Sequence, residues 1–151
     1  MTRIFTSLDE VRSALGEPIG PSAPIVVDQK RIDLFADATG DHQWIHVDPE
    51  RAKNGPYGTT IAHGYLTLSL LPLFGADLVA FDFGSARINY GANKVRFPAP
   101  VLSGSALTAT VEIVDVAEKP GSATVTARYT VTVDGAYKPS CIAETLVTIV
   151  D

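Results

Sequence analysis

The spacing of apolar and polar residues divides the chain into a helical first half and a strand-rich second half. Ser7, with Glu10 three residues on, forms a capping-box pattern; Val11, Ala14 and Leu15 follow at helical spacing and Gly16 stops the run, predicting a short helix. Pro18 to Pro24 is turn-rich, and Ile25-Val26-Val27 reads as a short strand. Asp28 caps a predicted helix from about Gln29 to Thr39, with Ile32, Phe35 and Ala36 as its apolar stripe and Gly40 as its close. Asp48-Pro49 opens another short helix that dies near Asn54-Gly55-Pro56, leaving residues 54–60 as an irregular loop. The longest helical segment runs from about Ile61 to Ala80. It is apolar on nearly every face, a pattern that requires surrounding protein.

The remainder of the chain supplies the surround. Segments at about 86–97, 105–117, 121–134 and 140–150 are rich in Val, Thr, Ile and Tyr, with turns at Pro98 to Gly104, Pro120-Gly121 and Asp134-Gly135. One strand, a set of helices and then four strands predict an α+β fold: a curved antiparallel sheet wrapped around a long central helix. Repeats, low-complexity tracts and linkers are missing, so residues 1–151 are expected to form a single domain. A lone curved sheet leaves an edge strand unpaired, which predicts a homodimer.

Composition narrows the partners. A net charge of −5 gives no electrostatic footprint for a nucleic acid or an anionic membrane. Ile61 to Phe81 has about the length of a bilayer span, but His63, Pro72 and Asp77 interrupt it and no basic flank follows, so a buried helix is the expectation. Cys141 is the only cysteine, which excludes an intramolecular disulfide. Met1 to Glu10 lacks the apolar run of a signal peptide, and the expected location is cytoplasmic.

Candidate chemistry concentrates in Phe35-Ala-Asp-Ala-Thr-Gly-Asp-His-Gln-Trp-Ile-His46 and in Ile61-Ala-His-Gly64. Adding water to an enoyl thioester needs a group that activates water, a proton for C2, and donors for the thioester oxygen. Asp41, His46 and the Gly64 N–H at a helix start can supply them. Asp41 ends one helix and His46 opens onto the next, so a loop can fold both around a single water. Taken singly, Asp41 reads as a capping residue, His46 as a buried histidine bonded to backbone, and Gly64 as a close packing point; it is their combination that points to catalysis. His42 and His63 are left out of catalysis. Metal is not expected, because no HExxH pattern exists and His42 and His46 fall in a loop. Ser69 and Cys141 have no base arranged beside them.

These motifs resemble the MaoC-like, (R)-specific enoyl-CoA hydratases, also called hydratase 2, over about residues 29–151. The family signature is an aromatic residue, a short spacer, a small residue, Gly-Asp, any residue, Asn-Pro, an aliphatic residue, His, then Ala or Ser after five more. Here Phe35, Thr39-Gly40-Asp41, Ile45-His46 and Ala52 are kept, and Gln43-Trp44 replaces Asn-Pro. Ala62-His63-Gly64 is similar to the family's helix start, and Tyr90 with Asn93-Lys-Val-Arg-Phe-Pro98 to its strand leaving the central helix. The resemblance implies a hot-dog fold and reversible syn addition of water to a trans-2-enoyl-CoA, giving the (R)-3-hydroxyacyl thioester. It further implies no metal or redox cofactor and paired subunits. Asn93, Lys94 and Arg96 are candidate substrate-binding residues, the two cations for phosphates of the pantetheine carrier. An acyl-CoA thioesterase and a non-catalytic acyl-thioester-binding subunit are the competing readings, since the fold alone does not separate them.

Overall fold

The computed structural model describes residues 1–151. Strand β1 (Arg3–Phe5) leads into helix α1 (Leu8–Ser13), followed by β2 (Pro18–Ile19), β3 (Ile25–Val27) and helix α2 (Gln29–Thr39). Two single-turn helices, α3 (Trp44–Val47) and α4 (Pro49–Ala52), precede the central pair α5 (Gly64–Ser69) and α6 (Leu71–Leu78). Strand β4 (Val79–Phe81) and the long strands β5 (Ala86–Arg96), β6 (Ser105–Lys119), β7 (Ser122–Val133) and β8 (Cys141–Val150) complete the chain.

The sheet has six strands in the order β2-β6-β7-β8-β5, with β3 also pairing β6. All its pairings are antiparallel. Alternation along β6 is strict: Leu107, Ala109, Val111 and Ile113 are buried while the residues between them are partly exposed, as a half-buried strand requires. These inward side chains share one core cluster with Leu66, Leu70, Leu71, Phe74 and Leu78 of the central helices. Phe74 is fully buried, and truncating such a residue to Ala costs about 3–5 kcal/mol.

Local signals explain most boundaries. The Ser7 hydroxyl accepts from the Glu10 N–H, and the Glu10 carboxylate turns back to the Thr6 N–H and hydroxyl. The Asp28 carboxylate caps α2 through the Arg31 N–H, and Gly40 closes that helix at φ 80°, the left-handed conformation that glycine adopts without a Cβ clash. Asp48 caps α4 in the same way, with Pro49 in the first turn.

The central helix differs from its expectation in three respects. The predicted Ile61–Ala80 helix is two helices meeting at Leu70, because Pro72 has no N–H to donate to a carbonyl one turn back. It also stops at Leu78, and Val79–Phe81 instead pairs in parallel with β1. Nor is it enclosed on all sides, since Tyr65 and Leu73 are exposed. No helix is long and apolar enough to cross a membrane.

Candidate active site

Helix α2 delivers Asp41 to the loop that follows Gly40, and α3 carries His46. The loop expected between Asp41 and His46 is thus partly helical, and His46 lies within the single turn of α3 with its side chain buried. The amide of Gln29, the first residue of α2, donates to the His46 backbone carbonyl at 2.7 Å and to Asp33 at 2.8 Å, and accepts from the Thr60 hydroxyl. One side chain therefore ties α2, α3 and the strand-like segment before α5.

The His46 ring is fixed by its Nδ1, which lies 2.7 Å from the Ile61 carbonyl oxygen. A carbonyl can only accept, so Nδ1 carries the proton and Nε2 presents a lone pair. Burial holds the His46 imidazole below its ordinary value; the Ile61 carbonyl pulls it up, the neighbouring His63 pushes it further down, and Asp41 pulls it up. The net effect is a neutral ring at pH 7, able to take a proton.

His63, the N-cap of α5, joins this pair. Its ring stacks on that of His46 with centroids 3.9 Å apart and planes 24° from parallel. Its Nε2 donates to the Asp41 backbone carbonyl at 2.9 Å, while its buried Nδ1 has no partner. The Phe35 ring also packs against His63, with centroids 5.0 Å apart. A carboxylate oxygen of Asp41 and one ring nitrogen each from His46 and His63 lie within 4.8 Å of one another.

Gly64 begins α5, and its N–H makes no hydrogen bond within the protein. A Cβ at this position would sit 2.8 Å from the Phe97 ring, so the glycine is required by close packing as well as leaving its N–H accessible. His46, Gly64, Thr67, Phe97 and the Pro98–Val101 turn line a cavity of about 330 Å³. Asp41 itself is exposed at the site's edge, its carboxylate 3.4 Å from the Gln43 N–H.

The candidate substrate cations are placed elsewhere. Val95 pairs with buried Ala143, whereas Lys94 pairs with Glu144 and Arg96 with Ile142. Alternation therefore turns Lys94 and Arg96 to the face opposite the central helices, where they line a separate depression with Arg128 and Glu144. Asn93 falls at a break in the β5–β8 register. None of the three is brought to Asp41 and His46 within this chain. His42 pairs on the surface with Asp37 at 2.9 Å. Burial pushes the Cys141 thiol up to about 11, an unreactive state at neutral pH. Sequence reasoning missed Gln29 and set His63 aside; the position of His63 directly before Gly64 was the available signal.

The fold is that of the hot-dog dehydratases, and the chain belongs to the MaoC like domain family, whose model matches residues 10–135. It is 52% identical over 147 residues to 3-hydroxyacyl-thioester dehydratase Z of Mycobacterium tuberculosis, covering 96% of this chain and 97% of that one. Among solved structures it resembles the monoamine oxidase regulatory protein of Archaeoglobus fulgius at TM-score 0.80 and 26% identity, over 100% and 98% of the two chains. It also resembles the (R)-hydratase of A. caviae involved in PHA biosynthesis at TM-score 0.64 and 28% identity, over 85% and 94%. The protein is an enzyme of the hydratase and dehydratase class.

Proposed function

We propose that the protein hydrates trans-2-enoyl-CoA thioesters to (R)-3-hydroxyacyl-CoA, and runs the reverse dehydration, with Asp41 and His46 as acid/base pair and Gly64 as oxyanion donor. The observation that carries this reading is the grouping of the Asp41 carboxylate and the His46 ring nitrogen within 4.8 Å, beside an uncommitted Gly64 N–H. Asp41 and His46 share no direct hydrogen bond, and the spacing suits one water held between them.

Seated there, the water adds its oxygen to C3 while the pair takes one of its protons. The thioester oxygen gains negative charge and is held by the Gly64 N–H at the helix start. The proton returns from the pair to C2 on the same face, so that the pair ends as it began and one water has been added across the double bond. No step requires a metal or a redox cofactor. The names of the relatives support the thioester: one is a 3-hydroxyacyl-thioester dehydratase, another an (R)-hydratase. A homodimer completes the reading, with β5 as the pairing edge.

The test mixes purified protein with trans-2-butenoyl-CoA and follows loss of the conjugated-thioester absorbance while free thiol is assayed. Absorbance loss without thiol, reduced at least 1,000-fold in folded Asp41→Asn and His46→Gln variants, is expected from loss of the acid/base group. Thiol release would instead make the enzyme a thioesterase, and no turnover at any chain length would leave a binding subunit.

A further inference from the structure

A second cavity, of about 360 Å³, lies along the seam between the central helices and the sheet. Leu68, Leu71, Pro72, Leu146, Val147 and Tyr129 contribute to its wall, which is mainly apolar. Gly64 and Leu68 stand at i and i+4 on one face of α5, so the cavity wall begins one helical turn beyond the Gly64 N–H. From Gly64 to Leu68 is about 6 Å of helical rise along α5, the direction in which an acyl chain held by its thioester oxygen at Gly64 would extend.

One polar group in this wall is unaccounted for. Tyr129, on β7, is only 8% exposed, and its hydroxyl makes no hydrogen bond within the protein and opens onto the cavity. It abuts Gly75, where a Cβ would stand 2.7 Å from the phenol oxygen. Of the other hydroxyls lining the cavity, Ser69 is committed to the Tyr65 carbonyl at 2.6 Å and Thr145 to the Ala127 carbonyl at 3.4 Å, while Tyr90 is exposed at the rim. Asn89 stands at the exposed rim. The hydroxyl is thus a free donor in a mainly apolar wall, and the Asp41–His46 chemistry makes no use of it. Burial pushes the phenol up to about 12, so it remains a protonated donor throughout the working range.

We infer that this cavity receives the acyl chain and that the Tyr129 hydroxyl selects chains bearing a hydrogen-bonding oxygen toward their distal end. The inference rests on the hydratase reading and goes beyond it by naming a substrate class, the oxygenated acyl thioesters. It makes Tyr129 a specificity residue, remote from the reacting atoms.

The experiment compares kcat/KM for plain trans-2-enoyl-CoA thioesters of four to twelve carbons with thioesters of the same lengths carrying a terminal hydroxyl, in the wild type and in Tyr129→Phe. At the length that reaches Tyr129, the wild type is expected to favour the hydroxylated chain about tenfold, the scale of one gained hydrogen bond. Tyr129→Phe is expected to bring that ratio to about one. Equal rates for the two series at every length, or a preference that survives in Tyr129→Phe, overturns the inference. The four-carbon substrate, too short to reach the phenol, separates the two failures: its turnover without discrimination among longer chains sinks this inference alone, and its absence together with that of every longer chain sinks the hydratase reading beneath it.

Discussion

At the scale of single residues, His63 holds two partners at once: its Nε2–H anchors the Asp41 backbone, and its ring lies flat against His46. Catalytic geometry tolerates little error, a displacement of about 1 Å costing about 100-fold. His63→Leu, which keeps the bulk and loses the donor, is therefore expected to lower kcat by about 10- to 100-fold with little change in KM. His63→Gln places an amide N–H near the lost Nε2–H and should recover most of that rate; a folded leucine variant with wild-type kcat would remove His63 from the machinery. For His46 the direction of its shift sets the pH dependence. Because the folded ring is harder to protonate than the unfolded one, whose ordinary value is 6.5, the unfolded chain takes up the proton first as pH falls. Stability should therefore decline from about pH 6.5 downward until folded His46 also protonates, and be flat above that window. Activity should fall at a lower pH than an ordinary histidine would dictate, since the base stays neutral longer. Denaturant melts of the wild type and His46→Gln across this range check the first statement, and a pH–rate profile the second. The signature residues Asp41 and His46 could be read from the chain because their spacing is local. For His63 the chain offered only its place before Gly64, because its contacts are with a stacking partner seventeen positions earlier and a carbonyl twenty-two positions away.

At the scale of elements, the long strands and α2 were legible because alternation, capping and turn residues agreed. The strands observed at 86–96, 105–119, 122–133 and 141–150 lie within two residues of their expected limits. What escaped was short or non-local. Strands β1 and β4 are three residues each and exist only because residues 3–5 and 79–81 meet across the fold; two-residue β2 sits in a stretch whose prolines signal turns. The central helix was visible as a hydrophobic run, but its junction at Leu70 required weighing Pro72 against that run. Gly75, in the middle of α6, shows why helix propensity is overridden here: a glycine costs about 1 kcal/mol relative to alanine in a helix, yet the Tyr129 oxygen occupies the space of its Cβ. Gly75→Ala is consequently expected to destabilise the protein despite its better propensity, by about 1–3 kcal/mol of overpacking. In Tyr129→Phe the closest remaining ring atom is Cζ at 3.6 Å, ordinary contact, and there the same change should be neutral or stabilising. A double-mutant cycle read by urea denaturation measures this coupling, and additive effects would show that the phenol oxygen does not control the site.

At the scale of the whole molecule, the two sides of the sheet are finished differently. The β6 side is covered by the short strands β2 and β3, whereas β5 ends the sheet with nothing beyond it. Every residue of β5 except Val95 is exposed, including Ile88 and Tyr90, and an edge of that length presents a row of unpaired N–H and C=O groups. Two antiparallel β5 strands related by a two-fold axis would satisfy both rows at once. Such pairing bears on function, because Asn89, Tyr90, Gly91 and Ala92 of the same strand line the cavity that ends at Tyr129. A second copy would thus close the mouth of the acyl cavity as well as the sheet. The wild type is expected to sediment at twice the chain mass, and Ile88→Arg combined with Tyr90→Arg to sediment as single chains. If the cavity mouth depends on the pairing, the separated chains should lose kcat/KM for long acyl chains by a larger factor than for the four-carbon substrate, whose reacting atoms on the proposed mechanism need only Asp41, His46 and Gly64. A wild type that sediments as one chain at assay concentration while discriminating chain lengths would show that a single copy closes the cavity unaided.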